Sequence, residues 1–285
     1  MESLSRRPGV TARVQVHEYL DGDVLRHEDR LATEEPLEVR LSWPGHPAER
    51  VGVTMRTPGH DFELAAGMLH GEGVLEPSWL RGVSYCTDSS LSPEQEFNVV
   101  TVELDRPPPR RPATRYDGPA AAASACGVCG TQSIDEVLAL SDVRRPADHP
   151  AVSPSTLLAL PARLREEQQV FARTGGLHAA GLFDAEGNPL VVREDIGRHN
   201  AVDKAVGARL LAGQPVAVPV LGVSGRIGFE IVQKAAAAGI GVLAAIGAPS
   251  SLAVRLAEDA DVCLVGFLSA DRFVAYSAPS RIGVG

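Results

Sequence analysis

No run of about 18 apolar residues occurs anywhere in this chain, so no transmembrane helix is expected. The opening residues, MESLSRRPGV, have none of the apolar core of a signal peptide, and the expectation is a cytoplasmic protein. Basic residues are too few to offer nucleic acid a general surface, since the formal net charge is −9 at pH 7. Aromatic residues are 5% of the chain, too few for a platform on which bases stack. Only four cysteines are present. In a reducing compartment they suit reactivity or metal binding better than structural disulfides. Internal repeats are absent too. What remains is ordinary for a globular chain. The 285 residues, 44% hydrophobic and 22% charged, can bury a sizeable core and fill two domains.

The apolar pattern divides the chain. Residues 12–19, 37–43, 50–55 and 97–104 alternate apolar and polar side chains as half-buried strands do. Thr57 and Pro58 have the chemistry of a helix cap and first turn. Phe62, Leu64, Ala65, Met68 and Leu69 make the stripe of that helix, and Gly71 and Gly73 end it. Residues 1–104 therefore read as a smaller N-terminal α+β domain of four or five strands and one helix. Residues 105–132 break the pattern with Pro107, Pro108, Pro109, Pro112 and Pro119, clustered arginines and an alanine run, which is linker composition. Ser133 and Glu136 then form a capping box for a short helix. Ser153 and Pro154 open a longer helix that ends near Gly175 and Gly176. A hairpin follows over 178–183 and 189–193, then a helix over 200–211, a strand at 216–223 and a helix to Ala238. A strand at 240–246, a helix at 250–257, a strand at 262–267 and an edge strand at 273–277 complete the series. Helices between strands predict an α/β fold, with a three-layer α/β/α domain over residues 133–285.

Residues 125–130, ACGVCG, hold Cys126 and Cys129 on a loop whose glycines leave little bulk around either sulfur. The positive end of the helix that follows lowers a thiol pKa. A thiolate attacks a persulfide sulfur as it attacks a disulfide. The pair alone admits three other readings. It could be half of a zinc site, although a second Cys-x-x-Cys is absent and Cys86, Cys263 and His178 are isolated in sequence. It could be a thioredoxin-like redox pair, which ordinarily sits in a compact βαβ unit rather than after a linker. It could also be a glycine turn that happens to contain cysteines. A zinc deaminase is excluded, because that chemistry needs His-x-Glu ahead of Pro-Cys-x-x-Cys. Here the cysteines come first, and Ala179 and Ala180 follow His178.

Polar stretches also fall where strands pass into helices, the usual ligand edge of an α/β sheet. In REDIGRHNAVDK, 193–204, eight of the twelve residues are charged or strongly polar. His199 shares a helix face with Asp203, and Asn200 with Lys204, which suits either a ligand site or a solvated helix start laced with ion pairs. His178, in TGGLHAAG, reads by itself as structural. In VSGRIGFE, the turn of Ser224, Gly225 and Arg226 offers free amides and a guanidinium to a phosphate or pyrophosphate. Residues 247–251 make a similar turn after the next strand. Neither is a P-loop or a dinucleotide fingerprint, but side by side they point to a nucleotide-type ligand at the carboxyl edge.

Taken in order, MRTPGHDFELAAGMLHGEG, SACGVCG, TGGLHAAGLF, VREDIGRHNAVDK, GVSGRIGFEIVQKA and the tail through FVAYSAPSRI resemble the blocks of the FdhD/NarQ family. These are sulfur carrier proteins needed to make active formate dehydrogenases. The resemblance covers most of the chain. It implies a cytidine-deaminase-like C-terminal domain that has lost the zinc site and holds no metal of its own. It implies a sulfurtransferase that takes persulfide sulfur from a cysteine desulfurase onto Cys126, with Cys129 as helper. The sulfur is then passed to the molybdenum (or tungsten) bis(molybdopterin guanine dinucleotide) cofactor, before or during its insertion into the formate dehydrogenase catalytic subunit. Ser224, Gly225 and Arg226, with His199 in the neighbouring stretch, are the expected cofactor contacts. So are Phe267, Leu268, Ser269, Ala270, Asp271 and Arg272, and a guanine nucleotide is a partial mimic of the cargo. By their own chemistry Asp271 and Arg272 suit a polar ligand or a turn before the last strand. A homodimer is implied as well. The chain departs from the family pattern at Thr131, where many members have lysine, and at Gly228, where many have a small hydroxyl residue. The alternative is a non-catalytic chaperone that binds the cofactor and escorts it to the apoenzyme.

Overall fold

The computed structural model describes residues 8–87, 91–92, 95–109 and 146–283. Strands β1 (Thr11–Leu20) and β2 (Asp23–Ala32) pair along their whole length, from Thr11 opposite Ala32 to Leu20 opposite Asp23. Asp21 and Gly22 join them at φ 52° and 92°, the positive values that a two-residue turn of this hand demands. The sequence pattern does not reveal β2. Nearly all its side chains are exposed, so no buried face imposes an apolar alternation on it.

A four-stranded sheet follows. It comprises β3 (Glu35–Trp43), β4 (His46–Arg56), β5 (Leu80–Tyr85) and β6 (Val99–Leu104), in the order β4-β3-β6-β5. β3 and β6 are parallel, and the outer pairs are antiparallel. Leu37, Val39, Leu41, Val100, Val102 and Leu104 pack with Leu64, Ala65 and Leu69 of helix α1 (Asp61–Gly71) in one dry cluster. This region therefore has six strands, with β2 and β5 added to those read from the sequence. The helix begins at Asp61, and Thr57 does not cap it. Instead the Thr57 N–H donates to Asp195 Oδ2 (3.1 Å) and its hydroxyl accepts from the Ile196 N–H (3.2 Å). A tertiary contact has claimed the side chain that local chemistry assigned to the helix. Arg56, wholly buried, holds the helix start by donating to both Asp61 oxygens (2.9 and 3.2 Å).

Helix α2 (Pro154–Glu166) opens on the expected cap, with Ser153 Oγ accepting from the Thr156 N–H at 3.0 Å. The expected long helix to Gly175 is in fact two, because a short α3 (Phe171–Thr174) is separate. Glu194 fixes the start of the second by accepting from the Val170 and Phe171 N–H groups (2.9 and 2.7 Å).

The remaining elements build a six-stranded sheet. They are β7 (His178–Phe183), β8 (Pro189–Asp195), α4 (Arg198–Leu211), β9 (Val220–Val223), α5 (Phe229–Ala237), β10 (Val242–Ala245), α6 (Ser251–Asp259), β11 (Cys263–Gly266) and β12 (Val274–Ala275). The order is β12-β11-β10-β9-β7-β8, with β9, β10 and β11 parallel and the others antiparallel to their neighbours. Leu182, Leu221, Leu243 and Leu264 share one apolar cluster with residues of α4, α5 and α6. The residues beside them in sequence, Phe183, Val220, Val242 and Val265, belong to a second cluster with Leu157, Leu160 and Leu164 of α2. Helices thus cover both faces, and the fold is mixed α/β. Helix α1 crosses α4 at glycines. A Cβ at Gly67 would overlap the Asp203 carbonyl, and one at Gly207 would overlap that of Glu63. That close crossing brings the two sheets together.

Candidate functional site

The parallel strands β9, β10 and β11 release their chains on one edge of the large sheet, and the backbone stitches the resulting turns together. Gly247 N–H donates to Gly225 O (3.3 Å), Ile227 N–H to Ala248 O (3.1 Å) and Phe267 N–H to Gly247 O (3.1 Å). β7 runs antiparallel to β9, with Ala180 opposite Val223, so His178 arrives at the same edge. β8 pairs with β7, His178 opposite Asp195, and delivers the start of α4 there too. Helices α4 and α5 both begin at this edge after glycines, Gly197 and Gly228, with no side-chain cap. The carboxyl edge therefore gathers two uncapped helix starts, three turns and the head of β7, a favourable place for an anion.

Within REDIGRHNAVDK the structure divides the work in a way neither sequence reading anticipated. Most of the stretch is scaffold, buried at the joint between the sheets. Arg193 grips Glu63 with two hydrogen bonds (2.6 and 2.9 Å). Burial opposes ionisation of Glu63, but hydrogen bonds from Arg193 and His60 outweigh it and hold the carboxyl at about 2. Asp195 accepts from the Gly197 N–H (2.8 Å), Asn200 Nδ2 (3.0 Å), the Thr57 N–H and Lys204 Nζ (2.7 Å). Asn200 also donates to Met55 O (2.8 Å), and Asp203 pairs with Lys234 (2.6 Å). His199 stands at the edge with its Nε2 3.1 Å from Glu230 Oε2, so the two uncapped helix starts are linked to each other.

Three basic side chains remain. Arg226 is exposed and makes no hydrogen bond or ion pair among the described residues. Arg198 has a buried Nε with no acceptor. His178 lies half-buried beside Gly225, where a Cβ would meet His178 Nδ1 at 3.2 Å and Arg198 Cδ at 3.6 Å. Burial and the adjacent Arg198 and Arg226 charges push the His178 imidazole below its ordinary range, against an opposing pull from Asp195. Sequence reasoning passed over Arg198 and took His178 as structural. The available signal was the antiparallel partner strand, which puts a residue early in the motif series beside one late in it.

Ser224 is partly committed, since its N–H donates to Ala179 O (3.0 Å) and its Oγ accepts from the Ala179 N–H (2.9 Å), leaving the hydroxyl proton for another acceptor. In the stretch from Phe267 to Arg272, Leu268 is anchored in the core, whereas Phe267 sits at φ 51° with 47% of its surface exposed. Ser269 Oγ donates to Asp271 Oδ1 (2.5 Å), and its N–H donates to Arg272 O (2.9 Å). That hydroxyl bond keeps the Asp271 carboxyl below its ordinary value. Ala270, Asp271 and Arg272 are exposed around this turn.

A family model described as the FdhD/NarQ family matches residues 32–283. The chain belongs to the FdhD/NarQ family. Its family relatives include the sulfur carrier protein FdhD of Nocardia farcinica, 46% identical over 275 residues that cover 96% of this chain and 95% of the relative. The Streptomyces coelicolor protein of the same name is 47% identical over 280 residues, covering 96% of each chain. That of Thermoplasma volcanium is 41% identical over 261 residues, covering 90% of this chain and 91% of its own. A crystal structure from Desulfotalea psychrophila, of a protein described as a formate dehydrogenase accessory protein, superposes with a TM-score of 0.74. It is 22% identical, over 96% of this chain and 100% of that one, and at that identity it shows the fold alone.

In this FdhD/NarQ chain, Cys126 and Cys129 lie outside the described residues, as do Thr131 and the capping box at Ser133 and Glu136. Cys263 is buried in β11, where burial pushes its thiol up to about 12. Cys86 is half-buried, 3.7 Å from Arg40 Nη1. Among the described residues no three His, Cys, Asp or Glu side chains gather to hold a metal ion. No described helix is long and apolar enough to cross a membrane.

Proposed function

We propose that this protein is a sulfurtransferase of formate dehydrogenase maturation, a persulfide carrier between a cysteine desulfurase and the bis(molybdopterin guanine dinucleotide) cofactor of molybdenum or tungsten. The names of its relatives support sulfur carriage. The Cys126 thiolate attacks the outer sulfur of the desulfurase persulfide. A Cys126 S–S bond forms, the donor S–S bond breaks and the donor departs as its thiolate, so no external oxidant is needed. Cys129 assists release of that sulfur to the cofactor, which is the substrate. The cargo is held at the carboxyl edge. Arg226 and the open amides of α5 face its phosphates, the Ser224 proton is available to them, and the exposed Phe267 ring offers a guanine an apolar face.

The same reading makes residues 133–285 a cytidine-deaminase-like domain, with 1–104 and 105–132 as separate units. It places a homodimer in the cytoplasm, with the desulfurase and the formate dehydrogenase catalytic subunit as partners. The observation that carries it is the Arg226 guanidinium, exposed and without a partner among the described residues, on the edge that also presents Phe267, in a chain whose relatives are named sulfur carriers.

Incubation with a cysteine desulfurase and cysteine, followed by intact-mass and peptide mapping, tests it. The wild-type protein should gain the mass of sulfur on the peptide bearing Cys126, and Cys126→Ala should not. Full loading of that variant overturns the assignment. A variant lacking both loop thiols that still yields active formate dehydrogenase supports the escort alternative instead.

A further inference from the structure

We propose that one face of the β1–β2 arm is the docking surface for the enzyme that accepts the cargo, and that this enzyme meets the arm with an acidic strip. The inference deepens the carrier reading and rests on it only for the identity of the acceptor, the formate dehydrogenase catalytic subunit. The arm joins neither of the other sheets. Its root leans on the body, with the Ala32 Cβ 3.8 Å from where a Cβ on Gly176 would stand and Val10 Cγ1 3.6 Å from one on Gly59. A lone two-stranded ribbon is marginal in water, yet this one runs through ten unbroken pairs. Of the eleven exposed large apolar side chains among the described residues, six lie between Val10 and Leu31. That concentration on a projecting element marks a surface that another molecule covers. Gly176 precedes His178, the head of β7, by two residues, so the arm is rooted beside the carboxyl edge proposed to hold the cargo. The molecule that receives the cargo has to approach that edge.

Charge selects the occupant. Residues directly opposite each other in an antiparallel pair share a face. On one face Arg13 stands opposite Arg30 and His17 opposite Arg26, with Tyr19 opposite Val24 at the tip. Like charges set directly opposite destabilise a ribbon. The Arg13–Arg30 rung therefore costs the free arm stability, and a carboxylate from outside relieves it. Glu28 is the one acid on this face, and it accepts from Arg13 Nη1 at 3.0 Å. The Arg26 and Arg30 side chains have no hydrogen bond or ion pair among the described residues. Glu18, Asp23 and Asp29 all stand on the opposite face. A basic strip thus ends in a tyrosine, on a chain whose formal net charge is −9. Tyr19 is 79% exposed, and tyrosine is a residue type that anchors protein interfaces. With Val24 beside it, the tip fits an apolar pocket, which a protein surface offers and a phosphate backbone does not.

The test measures binding of the full-length protein to the purified, cofactor-free catalytic subunit of its formate dehydrogenase at low and high salt. The wild-type protein should bind, and more weakly at high salt, because exposed charges are screened. The double variant Arg26→Glu/Arg30→Glu should bind about tenfold more weakly or worse, with a smaller salt dependence. Tyr19→Ser should lose about as much while keeping the salt dependence. Glu18→Gln, on the opposite face, should bind as the wild type does. Loading of Cys126 by the desulfurase should be unchanged in all three. If the double variant is unfolded by circular dichroism, Tyr19→Ser, at the exposed tip, decides. Wild-type affinity in a folded Arg26→Glu/Arg30→Glu or Tyr19→Ser variant overturns the proposal. So does a wild type that does not bind the subunit, or an equal loss in Glu18→Gln. Loss of desulfurase loading with subunit binding intact gives the arm to the sulfur donor. Loss of self-association in sedimentation with subunit binding intact gives it to a second copy of this chain, and either result overturns the acceptor assignment. A wild type that takes no sulfur on Cys126 but binds the subunit through the arm refutes the carrier reading and leaves the docking surface standing.

Discussion

Lys204 Nζ stands 2.7 Å from Asp195 Oδ2 with both side chains shut off from solvent, and the same ammonium donates to Thr57 O at 2.8 Å. Thr57 follows β4 of the small sheet, and Asp195 ends β8 of the large one, so the pair fastens one sheet to the other. Replacing Lys204 by Met leaves a buried carboxylate without its counter-charge. The expected cost is about 3–5 kcal/mol in urea unfolding. The double variant with Asp195→Asn should cost less than the sum of the singles. A loss under about 1 kcal/mol, the value of a surface pair, would show that the joint does not depend on this contact.

The α1–α4 crossing makes a second prediction. Gly67→Ala or Gly207→Ala drives a methyl group into the facing backbone, and should destabilise by at least about 1–3 kcal/mol, read as a lower thermal midpoint. Gly228→Ser is the contrast. A Cβ there meets nothing within 4 Å, and serine is a good helix cap, so its midpoint should equal or exceed the wild type. A midpoint for Gly67→Ala matching the wild type would mean that the helices separate freely.

Glu63 governs part of the acid response. Its folded-state pKa is lowered from 4.5 to about 2, so the ionised form is the one that folding favours. The stability it contributes is fully present above pH 4.5 and is lost as pH falls through about 2. Urea midpoints measured across that window should fall less steeply in Glu63→Gln than in the wild type. Parallel profiles would rule out Glu63 as a source of the acid limb.

Among the described cysteines, reactivity should follow burial. Cys263, with its thiol pushed up to about 12, should resist iodoacetamide at pH 8 until the protein unfolds, whereas the half-buried Cys86 should be labelled in the native state. Peptide mapping separates the two, and labelling of native Cys263 as fast as Cys86 would contradict its burial.

The elements legible in the sequence are those whose side chains meet a dry core. The alternation of β3 and β6 and the stripe of α1 are imprinted by burial on one face, and the Ser153 cap is a local hydrogen bond that local chemistry can announce. β2 escaped because it faces solvent, and Thr57 was misread because its partners, Asp195 and Ile196, lie far along the chain. The same distance concealed the split within REDIGRHNAVDK. Asn200, Asp203 and Lys204 carry the polar character of a ligand site, yet their partners are Met55, Lys234 and Thr57.

From the sequence alone come the alternation of strands and helices, the phosphate-type turns, the cysteine pair and the family, because each is written in residues that are neighbours or ordered blocks. Tertiary structure alone decided which polar groups are consumed at the joint between the sheets and which, among the described residues, are left without partners at the carboxyl edge. Hydrogen bonds and charge pairs are satisfied by proximity in space. Only the antiparallel return of β7 along β9 brings His178 against Gly225 and the stem of Arg198.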